Sequence, residues 1–406
     1  MLSGTPANAC MRFPKEQDRM ECVFRHAMRA RKEKRYRLSI RLLRAMLAQR
    51  PDLARVRLEL AQNYFLIGND AQAERHFRYA LGGGLPGPVV RRVQQYLDAI
   101  RRRRNWSLSF DYSISPQSNV NRATKRKVIT AGGIPWTLDR DSRKKAGLRV
   151  ALSADLLARP WLEEDLRAHV RLMPSLSATT DGKFHLSRFN VNELSFASHS
   201  ETLAGELGLV FLSDLQEIAV GISAGHTWFE GKPYLVTLGG WLRTSRELNG
   251  RLRVASDLAL ERLDHAAQWG EGDGWELRHV GSLRYQLTPW LAATLSSPFT
   301  WHRTRPRDKA FVEGGAGLGF GAILPHDFSL YLGASLRRTR FSAPDQVFGK
   351  RRKDWFLNTR VRLTWARFTA FDLAPYVEYS FERRNSSLTL HDYSNHAVLV
   401  GFSKQF

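Results

Sequence analysis

From Trp106 to the end of the chain, apolar and polar side chains alternate with a period of two. Trp106, Leu108, Phe110, Tyr112 and Ile114 alternate with Ser107, Ser109, Asp111 and Ser113. Successive side chains of a strand point to opposite faces, so each such run predicts a strand with one apolar and one polar face. The alternation recurs at Leu148–Ala154, Leu166–Leu172, Leu203–Phe211, Ile218–Trp228, Tyr234–Leu242 and Leu252–Leu260. It continues at Trp275–Leu287, Leu291–Trp301, Val312–Ala322, Phe328–Leu336, Trp355–Ala366, Ala370–Glu382 and the closing HAVLVGFSKQF. Most runs are about nine to thirteen residues, the length a tilted strand needs to cross a bilayer.

Two features separate these strands from those of a soluble sandwich. Their apolar faces carry Trp and Phe at the strand ends, as in the aromatic girdles of strands that meet lipid. Their polar faces carry many charges of both signs, which cannot fill a dry core. Arg149, Arg171, Arg253, Arg284, Arg337, Arg360, Arg362 and Glu378 are therefore expected to line a hydrated lumen. The expected fold is mainly β: a transmembrane antiparallel β-barrel spanning residues 105–406. Its last strand ends on Phe402 and Phe406, the kind of aromatic terminus that the barrel assembly machinery reads as an address.

Counting back from Phe406, the links at 366–369, 324–327, 287–289 and 212–216 are short. The alternate links at 383–395, 339–354, 302–309 and 263–274 are longer and polar, and 115–144 is the longest. Short periplasmic turns opposite longer outer loops are the outer-membrane rule. Ser187–Ala197 breaks its parity midway, and a chain with both ends of the barrel in the periplasm needs an even number of strands. That run is assigned to a loop or an over-long strand, leaving about fourteen.

Ahead of the strands, residues 20–104 have helical periodicity. Leu60, Ala61 and Tyr64, then Ala73, Phe77 and Ala80, match a tetratricopeptide (TPR) repeat, with Gly68-Asn69 at the turn between its helices. One repeat earlier, at the period of about 34 residues that marks this motif, stand Ala27, Leu43 and Met46. A further helix is predicted over 86–100. Residues 20–104 are read as a periplasmic TPR-like domain and 1–19 as an N-terminal segment.

Composition changes this picture little. The net charge of +23 suggests an acidic partner or surface, but no nucleic-acid motif is present and nucleic acid is not an expected partner. Arg101–Arg104 directly precede the first strand. A bilayer surface with anionic headgroups would attract such a run by about 1 kcal/mol per arginine. There is no run of eighteen apolar residues, hence no transmembrane helix, which does not exclude strands. Cys10 and Cys22 either pair in an oxidising compartment or act as small hydrophobes, and spacing decides nothing. MLSGTPANAC lacks an apolar leader core, although Ala7-Asn8-Ala9 has the form of a cleavage site.

Candidate chemistry is sparse. The glycines of 314–321 superficially resemble a dinucleotide fingerprint, but no helix opens after them, and they read as small residues on a lumen face. His391-Asp392 and Asp264-His265 lack metal-site spacing. No Ser, His and Asp set stands out as a nucleophilic triad, so no enzyme activity, cofactor or metal is expected.

Two stretches at opposite ends of the barrel carry a resemblance. SPQSNVNRAT at 115–124 resembles the S-N-V-N-x-A-T signature of the surface lipoprotein assembly modulators (Slam). HDYSNHAVLVGFSKQF at 391–406 is similar to the Tyr…His…GF…F close of the same family. The resemblance implies a type XI secretion translocator in the cell outer membrane, delivering a client surface lipoprotein or secreted protein. The alternative from residue patterns alone is a porin-like diffusion channel with a helical accessory domain.

Overall fold

The computed structural model describes residues 10, 12–82, 85–103, 105–131, 133–163, 165–181, 198–213, 215–269, 272–325, 328–365 and 373–405. Among the described residues five helices come first: α1 (Glu16–Lys32), α2 (Tyr36–Gln49), α3 (Ala54–Leu66), α4 (Asp70–Leu81) and α5 (Gly87–Arg103). Antiparallel neighbours α1·α2 and α3·α4 form two helix pairs. The repeat positions Ala27, Leu43, Met46, Ala61, Phe77 and Ala80 are all buried in their shared core. The turn from α3 to α4 passes through Gly68 at φ +77°, a left-handed value that favours glycine. Asn69 then caps α4, its side chain accepting from the Gln72 amide at 3.2 Å.

An arginine and a disulfide pin the helical region. Arg57 is 1% exposed, and its guanidinium donates twice to the Pro51 carbonyl, at 2.7 and 3.1 Å. Burial lowers its pKa to about 10, so it keeps its proton at neutral pH. Cys10 and Cys22 form a disulfide, which fastens the start of the described chain to α1. Sequence spacing left that pairing open.

Sixteen strands follow among the described residues: β1 (Trp106–Gln117), β2 (Val128–Ala131), β3 (Ile134–Thr137), β4 (Gly147–Ala158), β5 (Leu166–Asp181), β6 (Ser198–Leu212), β7 (Gln216–Phe229) and β8 (Lys232–Asn249). The rest are β9 (Leu252–His265), β10 (Gly274–Thr288), β11 (Leu291–Thr304), β12 (Phe311–Ile323), β13 (Phe328–Pro344), β14 (Arg351–Trp365), β15 (Ala374–Ser386) and β16 (Tyr393–Gln405). β2 and β3 form a separate hairpin. The other fourteen pair antiparallel with their neighbours, and β16 returns to β1 to close a barrel.

Parity decides which way each residue points. Leu152, Leu156, Ile222, Leu238, Leu363 and Val377 are among the many large apolar side chains exposed on one parity. On the other parity, side chains reach partners two or three strands away. The His169 ring on β5 lies 4.8 Å from that of Trp241 on β8, and Ser223 on β7 donates to Glu261 on β9 at 3.1 Å. Strands lie about 4.8 Å apart, so contacts that skip strands close only on a concave face. The polar parity is therefore the inside of the barrel and the apolar parity the outside.

The strands run further than their alternation indicated. β13 and β14 leave only 345–350 as a link, where 339–354 was expected, and β15 and β16 leave 387–392 in place of 383–395. Ladder pairing continues past the apolar band, where side chains turn polar on both faces and the period of two fades. On that same end β7 joins β8 through Glu230-Gly231 alone, both at positive φ, as a two-residue hairpin requires. The β2–β3 hairpin inside the 115–144 link was not foreseen; four residues per strand are too few to show a period. Ser187–Ala197 and Phe406 lie outside the described residues, as does Ala7-Asn8-Ala9.

Candidate functional site

Three places in the barrel concentrate polar structure: the inner wall, the seam between the first and last strands, and the mouth beneath the helices.

On the inner wall, acids and arginines are interleaved. Glu206 accepts from Arg243 at 2.6 Å and from the His169 ring at 3.0 Å. Arg171 pairs with Asp155 at 2.6 Å, and Arg243 also with Asp257 at 2.9 Å. Glu378 on β15 holds Arg360 and Arg362 of β14 at 3.1 and 2.6 Å, and Arg337 pairs with Glu313 at 2.8 Å. Each buried acid of this wall has a cation, which offsets the cost of taking its charge out of water. Between these networks runs a strip of glycines, across which the Tyr331 and Arg337 side chains lie. Gly315, Gly317, Gly319 and Gly321 of β12 share the inward parity with Glu313, and Gly333 of β13 is paired to Gly319. A cavity of about 190 Å³ lies over Gly317, Gly319, Ser335 and Arg360.

All eight sequence-selected charges stand on the inward parity. Arg171, Arg337, Arg360, Arg362 and Glu378 belong to the networks above. Arg149 donates to Ser177 at 3.3 Å and Arg253 to Ser245 at 2.8 Å. Arg253 and Arg284 are directly opposed on β9 and β10 near the mouth. Sequence inspection missed His169, Arg243 and Glu276. Glu276 accepts from the His302 ring at 3.1 Å and pairs with Arg278; each lies at the correct parity, which could have found it. Phe402 faces outward, opposite Pro375 on β15 and Tyr112 on β1. His391 and Asp392 do structural work in the β15–β16 link, Asp392 accepting the Ser386 amide. Asp264 pairs with Arg262, and the His265 ring bonds the Gly272 carbonyl.

The seam brings the two end motifs together. Asn119 donates its backbone N–H to Asn395 Oδ1 at 2.9 Å and its side-chain amide to the Ser394 and Ala123 carbonyls. Asn395 in turn donates to Gln117 Oε1 at 3.0 Å, and Ser118 exchanges bonds with the His396 backbone. Arg122 adds an ion pair to Glu382 at 3.0 Å. Asn121 ties the motif to the link before β4 by bonding Arg143 O and Lys145 N. At its other end Tyr376 of β15 passes over Gly401 to reach Asp111 of β1 at 3.0 Å. A Cβ on Gly401 would sit 2.7 Å from that tyrosine hydroxyl and 2.4 Å from the Tyr112 carbonyl. Between the two clasps stands Pro116. Ser118 and its even-numbered neighbours on β1 point their N–H groups at β16, so Pro116, which has none, leaves a gap there in the ladder.

At the short-turn end, α4 and α5 lie against the barrel mouth. Arg78 of α4 pairs with Glu247 of β8 at 3.1 Å and with Glu74 at 2.8 Å. Burial opposes its charge, and the two carboxylates more than offset this, leaving its pKa above the ordinary value. Gly82 touches the end of β10, where a Cβ would meet Gln286 Cγ at 2.4 Å and the Thr288 carbonyl at 2.9 Å. A cavity of about 360 Å³ remains between Glu74, Arg78 and Ile100 of the helices and Arg159, Glu217 and Arg253 of the barrel. The first 104 residues hold 23 basic and 9 acidic side chains, most of the chain's excess charge.

Residues 106–406 match the family model described as "Surface lipoprotein assembly modifier", and residues 11–77 match that of the family's N-terminal TPR repeats. The chain is 22% identical to Surface lipoprotein assembly modifier 1 of Haemophilus influenzae, over 91% of this chain and 74% of that protein. It is 22% identical to the Neisseria meningitidis serogroup B protein of the same name, over 96% and 77%. Among solved structures, the Pseudomonas putida toluene transporter TodX aligns at 10% identity with a TM-score of 0.41, over 74% of this chain and 90% of that one. With its helices, its closed outer-membrane barrel and a family match running from the first strand to the last residue, the chain belongs to the surface lipoprotein assembly modifier family.

Proposed function

We propose that this protein carries client lipoproteins or secreted proteins across the outer membrane to the cell surface, with its helices in the periplasm as the receiving surface. The observation that carries this reading is the seating of a basic helical repeat against the mouth of a barrel whose inner wall is charged. A client held on the helices is already beside the opening. An interleaved charged wall gives an extended chain no apolar surface on which to collapse. Arg149, Arg171, Arg253, Arg284, Arg337, Arg360, Arg362 and Glu378 are assigned to that lining. Family membership supports assembly of surface lipoproteins as the role, without chemistry of the protein's own. Phe402 and Phe406 are assigned to recognition by the barrel assembly machinery.

The test is protease shaving of intact cells, following a lipoprotein or secreted protein encoded beside this gene. Loss of its surface exposure on deletion, restored by the wild-type chain, is the expected result. Deletion of residues 20–100 should abolish exposure while the barrel still assembles. Unchanged exposure, together with high single-channel conductance of the purified protein, would replace translocation with a diffusion channel.

A further inference from the structure

On the outward face of β13, β14 and β15 the apolar band gives way to cations over successive outward positions. Leu336 is followed on its parity by Arg338 and Arg340, Phe381 by Arg383, and Trp355 is preceded by Lys353; all four cations are exposed. The register places Arg340 directly opposite Lys353, and Arg338 opposite Trp355. The Arg338 guanidinium sits 5.1 Å over the Trp355 ring. Arg383 lies on the next strand opposite Leu357, two residues along from Trp355.

No carboxylate pairs with any of these four among the described residues. Acids on this part of the wall belong to the inner face and are taken. Asp354 holds Arg352, Glu313 holds Arg337, and Glu382 holds Arg122. Elsewhere at this level the pattern differs, since Arg262 rests over Trp275 but has Asp264 at 2.8 Å. Like charges directly opposite on neighbouring strands are destabilising. Four such cations around an interfacial tryptophan need an anion from outside the chain.

We infer that this patch binds the headgroup of a bisphosphorylated glycolipid of the outer leaflet. Its level, just beyond the apolar band, is where lipid phosphates lie. Arg338, Arg340 and Lys353 form one cationic pole; Arg383 forms another, one or two strands across and two to four residues along, about 12–16 Å away. Two poles match two phosphates on one headgroup, each able to take charge-assisted hydrogen bonds. Placing the patch in the outer leaflet rests on the proposed orientation, with the helices in the periplasm; binding itself does not.

The experiment uses the full chain in a neutral detergent, with native mass spectrometry reading retention of bisphosphoryl lipid A, monophosphoryl lipid A and phosphatidylglycerol. The wild type should retain the bisphosphoryl form at least ten-fold better than either of the others. R340Q/K353Q should lose that preference, while R262Q keeps it, with heat-modifiable gel migration reporting that each barrel is folded. Retention by the double variant equal to wild type would overturn the site, and equal retention of phosphatidylglycerol would overturn the bisphosphate assignment. Orientation is read separately by labelling V347C, at the tip of the β13–β14 link, on intact cells with an impermeant maleimide. Lack of labelling would remove the outer-leaflet source even if binding survives.

Discussion

Asn119 and Asn395 stand 276 positions apart in the chain and share a buried hydrogen bond from backbone to side chain. Each is almost wholly buried, and each serves the other's strand end. The S-N-V-N motif and the Tyr-Ser-Asn-His segment, read separately along the chain, are one clasp that joins the first strand to the last. Leaving a buried polar partner unmet costs about 1–3 kcal/mol. N395A and N119A should each lower the temperature at which the barrel loses its compact gel migration. An unchanged midpoint would show that the clasp adds nothing to closure.

Tyr376 and Gly401 make the second clasp, and they should respond differently. Y376F removes one bond to Asp111 and is expected to weaken the seam by about 1–2 kcal/mol. G401A drives a methyl group into the Tyr112 carbonyl, a backbone atom that cannot step aside. It should impair barrel assembly more than Y376F does. The extent of disulfide formation between I114C and V400C, which face each other across the seam, gives the ordering.

Docking of the helices should depend on Gly82. G82V cannot keep the approach to Gln286 and Thr288 and is expected to release α4 and α5 from the mouth. Hydrogen exchange should then rise over residues 78–90 with the barrel's melting unaltered. A simultaneous fall in barrel melting would instead make the helices part of barrel stability.

The β15–β16 link should loosen in acid. Burial, aided by Arg352 and Arg384 and opposed by Asp354 and Asp345, lowers the His391 pKa to about 4, against about 6.5 when exposed. An opened link takes up a proton that the closed link refuses. Stability from this group is therefore complete above about pH 6.5 and is lost as pH falls toward about 4. Amide protection in residues 386–392, measured relative to the intrinsic exchange rate at each pH, should fall between pH 7 and pH 5, and H391Q should abolish the difference.

Much of this architecture is legible in the sequence because a period of two has one physical cause. Every barrel strand carries an alternating run, and the discarded run at Ser187–Ala197 is the one whose parity breaks. TPR positions such as Ala27 and Phe77 were legible for a similar reason, since small and large residues recur at core contacts. What could not be read depends on closure. Nothing local to Asn119 says that it meets Asn395, or that Tyr376 crosses Gly401 to Asp111. Gly82 is an ordinary helix-end glycine until the mouth of the barrel is placed against it. The basic cluster at Arg338, Arg340, Lys353 and Arg383 needs the strand register before its cations become neighbours.

Because β16 pairs with β1, the ring is finished by the contact of greatest separation along the chain. Bringing such distant segments together carries the largest loop entropy and is slow. Until it happens, the thirteen strands from β1 to β15 form a sheet with two open edges, each a template for pairing with another chain. A molecule interrupted at that stage is therefore a strand acceptor. Its lifetime in that state is set by how fast the C-terminal strand finds the first.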